Sequence, residues 1–247
     1  MSEQPQPDLA QPPNSTRAAW IWTGIFCLAA VAAFAAMRHS LDASGQTNCS
    51  IGLRRIGLAL QEYHDLHGSF PPAWVTDAEG RRIHSWRALI LEPWLETTFE
   101  VAMIEYRFDV PWDAPHNREL FNDWPTGLPY RCPSSPSEPL FTNYVMVVGD
   151  GLFSNGTGAS RRDDITDGPS QTIAVIEVLD SGIEWMEPRD LSLDQLVEQI
   201  NEDPSRSISS SHAGGALVLM ADGTTRFLGE DLSTDELRSL LTVAGGD

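Results

Sequence analysis

Lysine is absent: all sixteen basic side chains are arginine, set against 35 acidic ones. Without a lysine amine the chain can run neither Schiff-base chemistry nor any mechanism with a lysine nucleophile. The shortage of positive charge leaves a formal charge of −19 and a pI near 4.5, which excludes nucleic-acid binding driven by phosphate neutralisation. Cysteine is scarce as well. None of the three is in a CxxC spacing, so the sequence does not cluster the partners of a zinc site. Also missing are a GxSxG nucleophile elbow, an HExxH pair, a P-loop and a GxGxxG turn after a strand. Ser209, Ser210 and Ser211 beside His212 resemble a triad fragment, but adjacency in sequence does not supply the geometry a base needs to activate a nucleophile. The expectation is a protein without catalysis and without a cofactor.

A hydropathy average of −0.22 conceals one long apolar run. Residues 18–37, AAWIWTGIFCLAAVAAFAAM, carry no charge and are bounded by Arg17 and Arg38. As a helix this run would be about 30 Å long, the thickness of a bilayer core, with Trp20 and Trp22 at one headgroup boundary. A cleaved signal peptide is the alternative, but the preceding stretch holds Glu3, Asp8 and four prolines, and the run exceeds a usual h-region. The expected organisation is a disordered cytoplasmic tail over 1–17, a transmembrane helix over 18–37, a spacer over 38–47 and a folded domain over 48–247. That places the chain in a bacterial inner membrane, single-pass, with the domain facing the periplasm or exterior. The part from residue 38 onward holds 15 Arg against 33 acidic residues, so the charge deficit belongs to that domain and keeps it soluble beside an anionic membrane.

Within the domain, Cys49, Leu53, Ile56, Leu60 and Tyr63 form one helical stripe ending at Gly68 and Pro71-Pro72. A shorter helix is predicted from an N-cap at Ser85 through WRALILEPWLE, and an irregular connection from about 107 to 139. Strand-like runs follow at 144–148, 172–178, 216–220 and 224–228, the last two joined by Asp222-Gly223 as a hairpin. Capping boxes at Ser192/Gln195 and Ser233/Glu236 predict two late helices. The order is that of an α+β fold.

Candidate site residues are few. Cys49 and Cys132 are the cysteines outside the apolar run and form either one disulfide or two buried thiols. Asp163, Asp164 and Asp167 offer hard oxygen ligands for Ca²⁺, but the loop lacks the regular alternation and terminal Glu of an EF-hand, which favours a solvated turn leading into the Thr172 strand. Glu177 stands alone in an apolar strand, to be paired with an Arg across the sheet or turned outward. His212 and Asp222 either meet as imidazole and carboxylate, or serve a strand entrance and a turn separately. Trp74, Trp86, Trp94, Trp112, Trp124 and Trp185 either pack the core or line a pocket.

Several segments together resemble one bacterial family, the domain of unknown function numbered 1559. They are NCSIGLRRIGLALQEYHDLHGSFPPA, SWRALILEPWLE, VPWDAPHN, YRCPSSP, TNYVMVVGDG, ITDGPSQTIAVIEV and SSHAGGALVLMADGTTRFL. The last contains the family's H-x9-D-G ending, here His212, Asp222 and Gly223. The resemblance implies a pilin-like or pseudopilin-like architecture, an N-terminal helix leaving the membrane and packing along an antiparallel sheet. It implies no activity; one family label suggests extracellular solute binding. Prepilin-type members place Gly-Phe-Thr-Leu-x-Glu directly before the apolar run, whereas Arg17-Ala18-Ala19-Trp20 stands here, so prepilin processing and fibre assembly do not carry over. The resulting expectation is a membrane-anchored structural or interaction protein, with protein partners or copies of itself in a cell-envelope assembly and no nucleic acid. A solute- or Ca²⁺-binding module is the alternative.

Overall fold

The computed structural model describes residues 15–91, 106–123, 130–158 and 160–245, with side chains of the first helix continuous from Ala43 onward. Helix α1 is assigned over Ser15–His67. The expected spacer at 38–47 is therefore helical: no proline falls between Pro13 and Pro71, and a lone Gly45 costs a helix only about 1 kcal/mol. Residues 1–14 of the expected tail, and the side chains of most of the expected span at 18–37, lie outside the described residues. Among the described residues no helix is long and apolar enough to cross a membrane. Two compact units result, 1–44 and 45–247, and everything below concerns the second.

In that unit the predicted stripe is buried: Cys49, Leu53, Ile56 and Leu60 are fully or almost fully covered. Gly57 lets the helix lie against the hairpin turn, since a Cβ there would stand 2.9 Å from the Gly223 carbonyl oxygen. Gln61 Nε2 adds a 2.7 Å bond to the Ala221 carbonyl. A hairpin of β1 (Trp74–Thr76) and β2 (Arg82–Ser85) follows, then α2 (Trp86–Leu89), capped by Ser85 as the sequence predicts. Residues 92–105, which include the last five positions of the expected second helix, are outside the described set. A nine-residue helix, α3 (Pro115–Asp123), interrupts the stretch expected to be irregular. Pro115 opens it with a pre-set φ, and the Asn117 amide ties it back to the carbonyls of Arg107 and Pro111 at 3.0 Å each.

The main sheet has four antiparallel strands in the order β3 (Tyr144–Val145), β5 (Ile173–Glu177), β7 (Gly215–Met220) and β8 (Thr225–Gly229). β7 and β8 form the hairpin predicted from Asp222-Gly223, with Gly223 at φ 86°. The single strand expected over 144–148 is broken at Met146, and its second half, β4 (Val147–Val148), pairs in parallel with β6 (Leu191–Ser192). Ser192 is thus committed to a strand, and the helix expected after it shrinks to a 3₁₀ turn at Leu193–Gln195. The other capping box holds: Ser233 and Glu236 cap α4 (Thr234–Leu241).

Both faces of the sheet are covered. Val175, Leu217 and Leu219 join the α1 stripe, while Ile176, Val218 and Met220 join Leu237, Leu240 and Leu241 of α4. This alternation follows from the period-2 geometry of strands.

Beneath the α1 side lies an ion pair with no exposed side-chain surface, Arg87 Nη1 to Asp190 Oδ1 at 2.8 Å. Arg87 also donates to the carbonyls of Tyr144, Trp185, Glu187 and Arg189. Asp190 Oδ1 accepts in addition from Trp86 Nε1 at 3.0 Å and the Met146 N–H at 2.9 Å. Taking the charge from one partner leaves the other uncompensated in the interior, at a cost of about 3–5 kcal/mol. Asp190→Asn should therefore lower the unfolding free energy by about that much. Urea titration monitored by tryptophan fluorescence measures it, and a loss below about 1 kcal/mol would contradict the assigned role.

Candidate metal-ligating cluster and disulfide

Four polar side chains from four separated parts of the chain meet beneath α1. Cys49 comes from the helix, Cys132 from the loop before β3, Glu177 from the end of β5 and His212 from the approach to β7. One ligand atom from each lies within 4.8 Å of the others, and all four residues are buried. Cys49 and Cys132 are joined as a disulfide with a Cα separation of 5.0 Å. His212 Nε2 stands 3.6 Å from Cys132 Sγ.

Each donor is held by its own local structure. The Cys132 N–H donates to Asn143 Oδ1 at 3.0 Å, and Asn143 Nδ2 donates to the carbonyls of Val178 and Leu179, fastening the cysteine loop to the strand end. The Tyr144 hydroxyl donates to the Cys49 carbonyl at 3.4 Å. The His212 N–H donates to Ser210 Oγ, and that hydroxyl donates to the Gly215 carbonyl. Gly45 lets the helix approach the Cys132 loop, since a Cβ there would collide with Ser134 Oγ.

Glu177 neither faces solvent nor crosses the sheet to an arginine, the two roles expected of it. Its side chain is on the α1 face, 1% exposed, where the carboxylate accepts the Leu217 N–H at 3.1 Å. Burial pushes its carboxyl up to about 8, against the smaller opposing pull of that amide. Burial, with the nearby Glu177 carboxylate, also raises the Tyr144 hydroxyl.

The remaining candidates do not converge. Asp222 lies beyond the other end of β7, roughly 20 Å of strand away from His212, and caps Thr224 through Oδ1. Asp164 Oδ2 accepts the Arg161 N–H, and Asp167 Oδ2 accepts from Gly245 N and Thr242 Oγ1, while Asp163 is exposed. Asp164 thus serves its own turn, and Asp167 holds the segment that follows α4. Ser209 and Ser211 donate to the Pro204 and Ser134 carbonyls, as loop braces. Trp86 and Trp185 are core residues and Trp112 packs against the core; Trp94 and Trp124 lie outside the described residues.

Of the four candidate tryptophans among the described residues, Trp74 borders a cavity of about 510 Å³, which also meets Arg82, Arg189, Arg206, Val148 and Asp190. The Arg82 guanidinium lies 3.4 Å from the Trp74 ring centroid. Asp190 Oδ2, the oxygen outside the ion pair, is buried without a hydrogen-bond partner.

Sequence reasoning missed the cluster because its members are 80 to 160 positions apart in places and no short motif links them. The available signal was the lone carboxylate of Glu177 in an apolar strand.

Two outcomes follow from this geometry. The disulfide spans 83 positions, so chain-entropy arguments put its contribution at about 4–5 kcal/mol; reduction should lower the urea midpoint accordingly, and an unchanged midpoint would contradict it. Glu177 keeps its proton in the folded chain at pH values where the unfolded chain, with an ordinary carboxyl near 4.5, has lost it. That contribution is complete below about 4.5 and disappears as pH rises to about 8. In the oxidised chain, Glu177→Gln should flatten the fall of stability over this window by up to ~1.4 kcal/mol per pH unit. Unfolding free energies of the two proteins measured across the window check this; parallel curves would refute it.

Comparison with known families returns a model described as protein of unknown function (DUF1559), matching residues 42–155. No curated protein matches, and no solved structure does. The matched stretch includes the α1 stripe, Cys49, the Cys132 loop and the broken strand at Met146. Over residues 42–155 the chain is similar to the DUF1559 family.

Proposed function

We propose that this protein is a single-pass component of the bacterial cell envelope, in which residues 18–37 cross the inner membrane and the acidic α+β domain stands on the periplasmic or exterior side. The disulfide between Cys49 and Cys132 carries the reading, because such bonds persist in oxidising compartments and are rare in the cytosol. The uncharged twenty-residue run supplies the anchor length. In this reading α1 is the pilin-like element, membrane-embedded at its start and packed on the sheet from Cys49 onward. The role is structural or interaction-based and non-catalytic, with protein partners or copies of itself in an envelope assembly.

A second reading, extracytoplasmic solute binding, is favoured by the 510 Å³ cavity bordered by Trp74 and three arginines. Its arginines would accept an anionic or polar solute. A rise in thermal midpoint with an added solute distinguishes it from a purely structural role.

Protease added to intact spheroplasts should digest the domain, and mass spectrometry of the isolated protein should find residues 18–37 still attached. A domain protected until the membrane is permeabilised would overturn the topology, and a mature chain beginning after residue 37 would overturn the anchor.

A further inference from the structure

We propose that Cys49, Cys132, Glu177 and His212 form a closed four-ligand Zn²⁺ site whenever the two cysteines are thiols, the disulfide and the metal being alternative occupants of the same position. The donor set is two sulfurs, one imidazole nitrogen and one carboxylate oxygen, the mixture that suits a four-coordinate zinc and no alkaline-earth ion. The four ligand atoms already lie within 4.8 Å of one another. Zinc bonds of about 2.3 Å to sulfur and 2.0 Å to nitrogen place those two atoms about 3.5 Å apart in a tetrahedron. His212 Nε2 and Cys132 Sγ are 3.6 Å apart. Four ligands also leave no open coordination position, so the site would be structural.

The surroundings argue the same way. A cystine needs only apolar neighbours, yet a carboxylate and an imidazole are buried against this one. A buried carboxylate is costly unless a cation or several donors meet it, and a divalent ion at this point would satisfy it. The supporting bonds resemble those that orient metal ligands: the Leu217 N–H fixes one Glu177 oxygen, and Asn143 fixes the Cys132 backbone. The metal would tie all four parts of the chain at one point, where the disulfide joins two of them.

A trialkylphosphine and one water convert the disulfide to two thiols and a phosphine oxide. Zn²⁺ then displaces the two thiol protons, with a third from Glu177 where it is protonated. In the return direction an added small-molecule disulfide such as oxidised glutathione takes the two electrons of the zinc-bound thiolates, re-forming the Cys49–Cys132 bond and releasing Zn²⁺ and two small thiolates.

The test uses the full chain in detergent with Cys27→Ser, so that only Cys49 and Cys132 provide sulfur. After phosphine reduction under anaerobic conditions, Co²⁺ is titrated and absorption is recorded. One equivalent should give near-ultraviolet thiolate charge-transfer bands together with the intense visible bands of tetrahedral cobalt, and Zn²⁺ should abolish both. The oxidised chain should give neither. Glu177→Gln, which keeps the side-chain volume, and His212→Ala should each weaken binding at least tenfold while retaining the charge-transfer bands. If the reduced chain loses helix and strand signal in circular dichroism, added Zn²⁺ should restore it. The proposal is overturned if the reduced chain gives the spectrum of a Cys49→Ser/Cys132→Ser double variant, if Glu177→Gln binds as tightly as the parent, or if a reduced, unfolded chain is not refolded by Zn²⁺. None of these outcomes bears on membrane topology, which protease accessibility decides separately.

Discussion

The architecture depends on one guanidinium. Arg87 is completely buried, and its donors end on Asp190 and on four backbone carbonyls between Tyr144 and Arg189. Its partner Asp190 takes the Met146 N–H, a group that would otherwise continue a strand ladder. The YVMVV run consequently stops pairing in the antiparallel sheet at Val145 and resumes at Val147 beside Leu191, in parallel. A buried charge can be kept only if its hydrogen bonds are met, and here meeting them sets where one sheet ends and another begins.

Tyr144 carries that constraint to the cysteine cluster. Its carbonyl accepts from Arg87, its hydroxyl reaches the Cys49 carbonyl, and its backbone pairs with Glu177 across the sheet. The register placing Tyr144 opposite Glu177 puts the carboxylate on the α1 face, level with Leu217. Glu177 is therefore buried by strand pairing and cannot escape to solvent without a register slip that would also expose Val175. A polar cluster in such a position concentrates energetic consequence in a few side chains, because each partner it lacks costs a full desolvation penalty.

How much of this was legible depended on the range of the interaction. The α1 stripe, the Asp222-Gly223 hairpin and the Ser233/Glu236 cap were readable because each is decided within about ten residues by periodicity, positive φ or a reciprocal side-chain bond. The Ser192/Gln195 pattern carries the same local signal and fails, since the backbone of Ser192 pairs with Val148 and only the Gln195 amide meets its hydroxyl. Helix α3 escaped notice because its support comes from Asn117 reaching back to the Arg107 segment, a contact that composition does not announce. Of the site, the pair Cys49 and Cys132 was visible by elimination, but His212 was weighed against Asp222, its neighbour in sequence, and not against Cys132, its neighbour in space.

By itself, the sequence determined the elements whose stabilising groups are close along the chain: one apolar helical face, one hairpin, one capped helix, an uncharged run of membrane length and a strongly acidic domain. Only the tertiary structure decided which half of the YVMVV run joins which sheet, which way Glu177 points and which polar side chains meet. The reason is physical. Periodicity records that a residue is buried, whereas its partners are selected by packing and hydrogen-bond satisfaction among segments that the chain brings together only on folding.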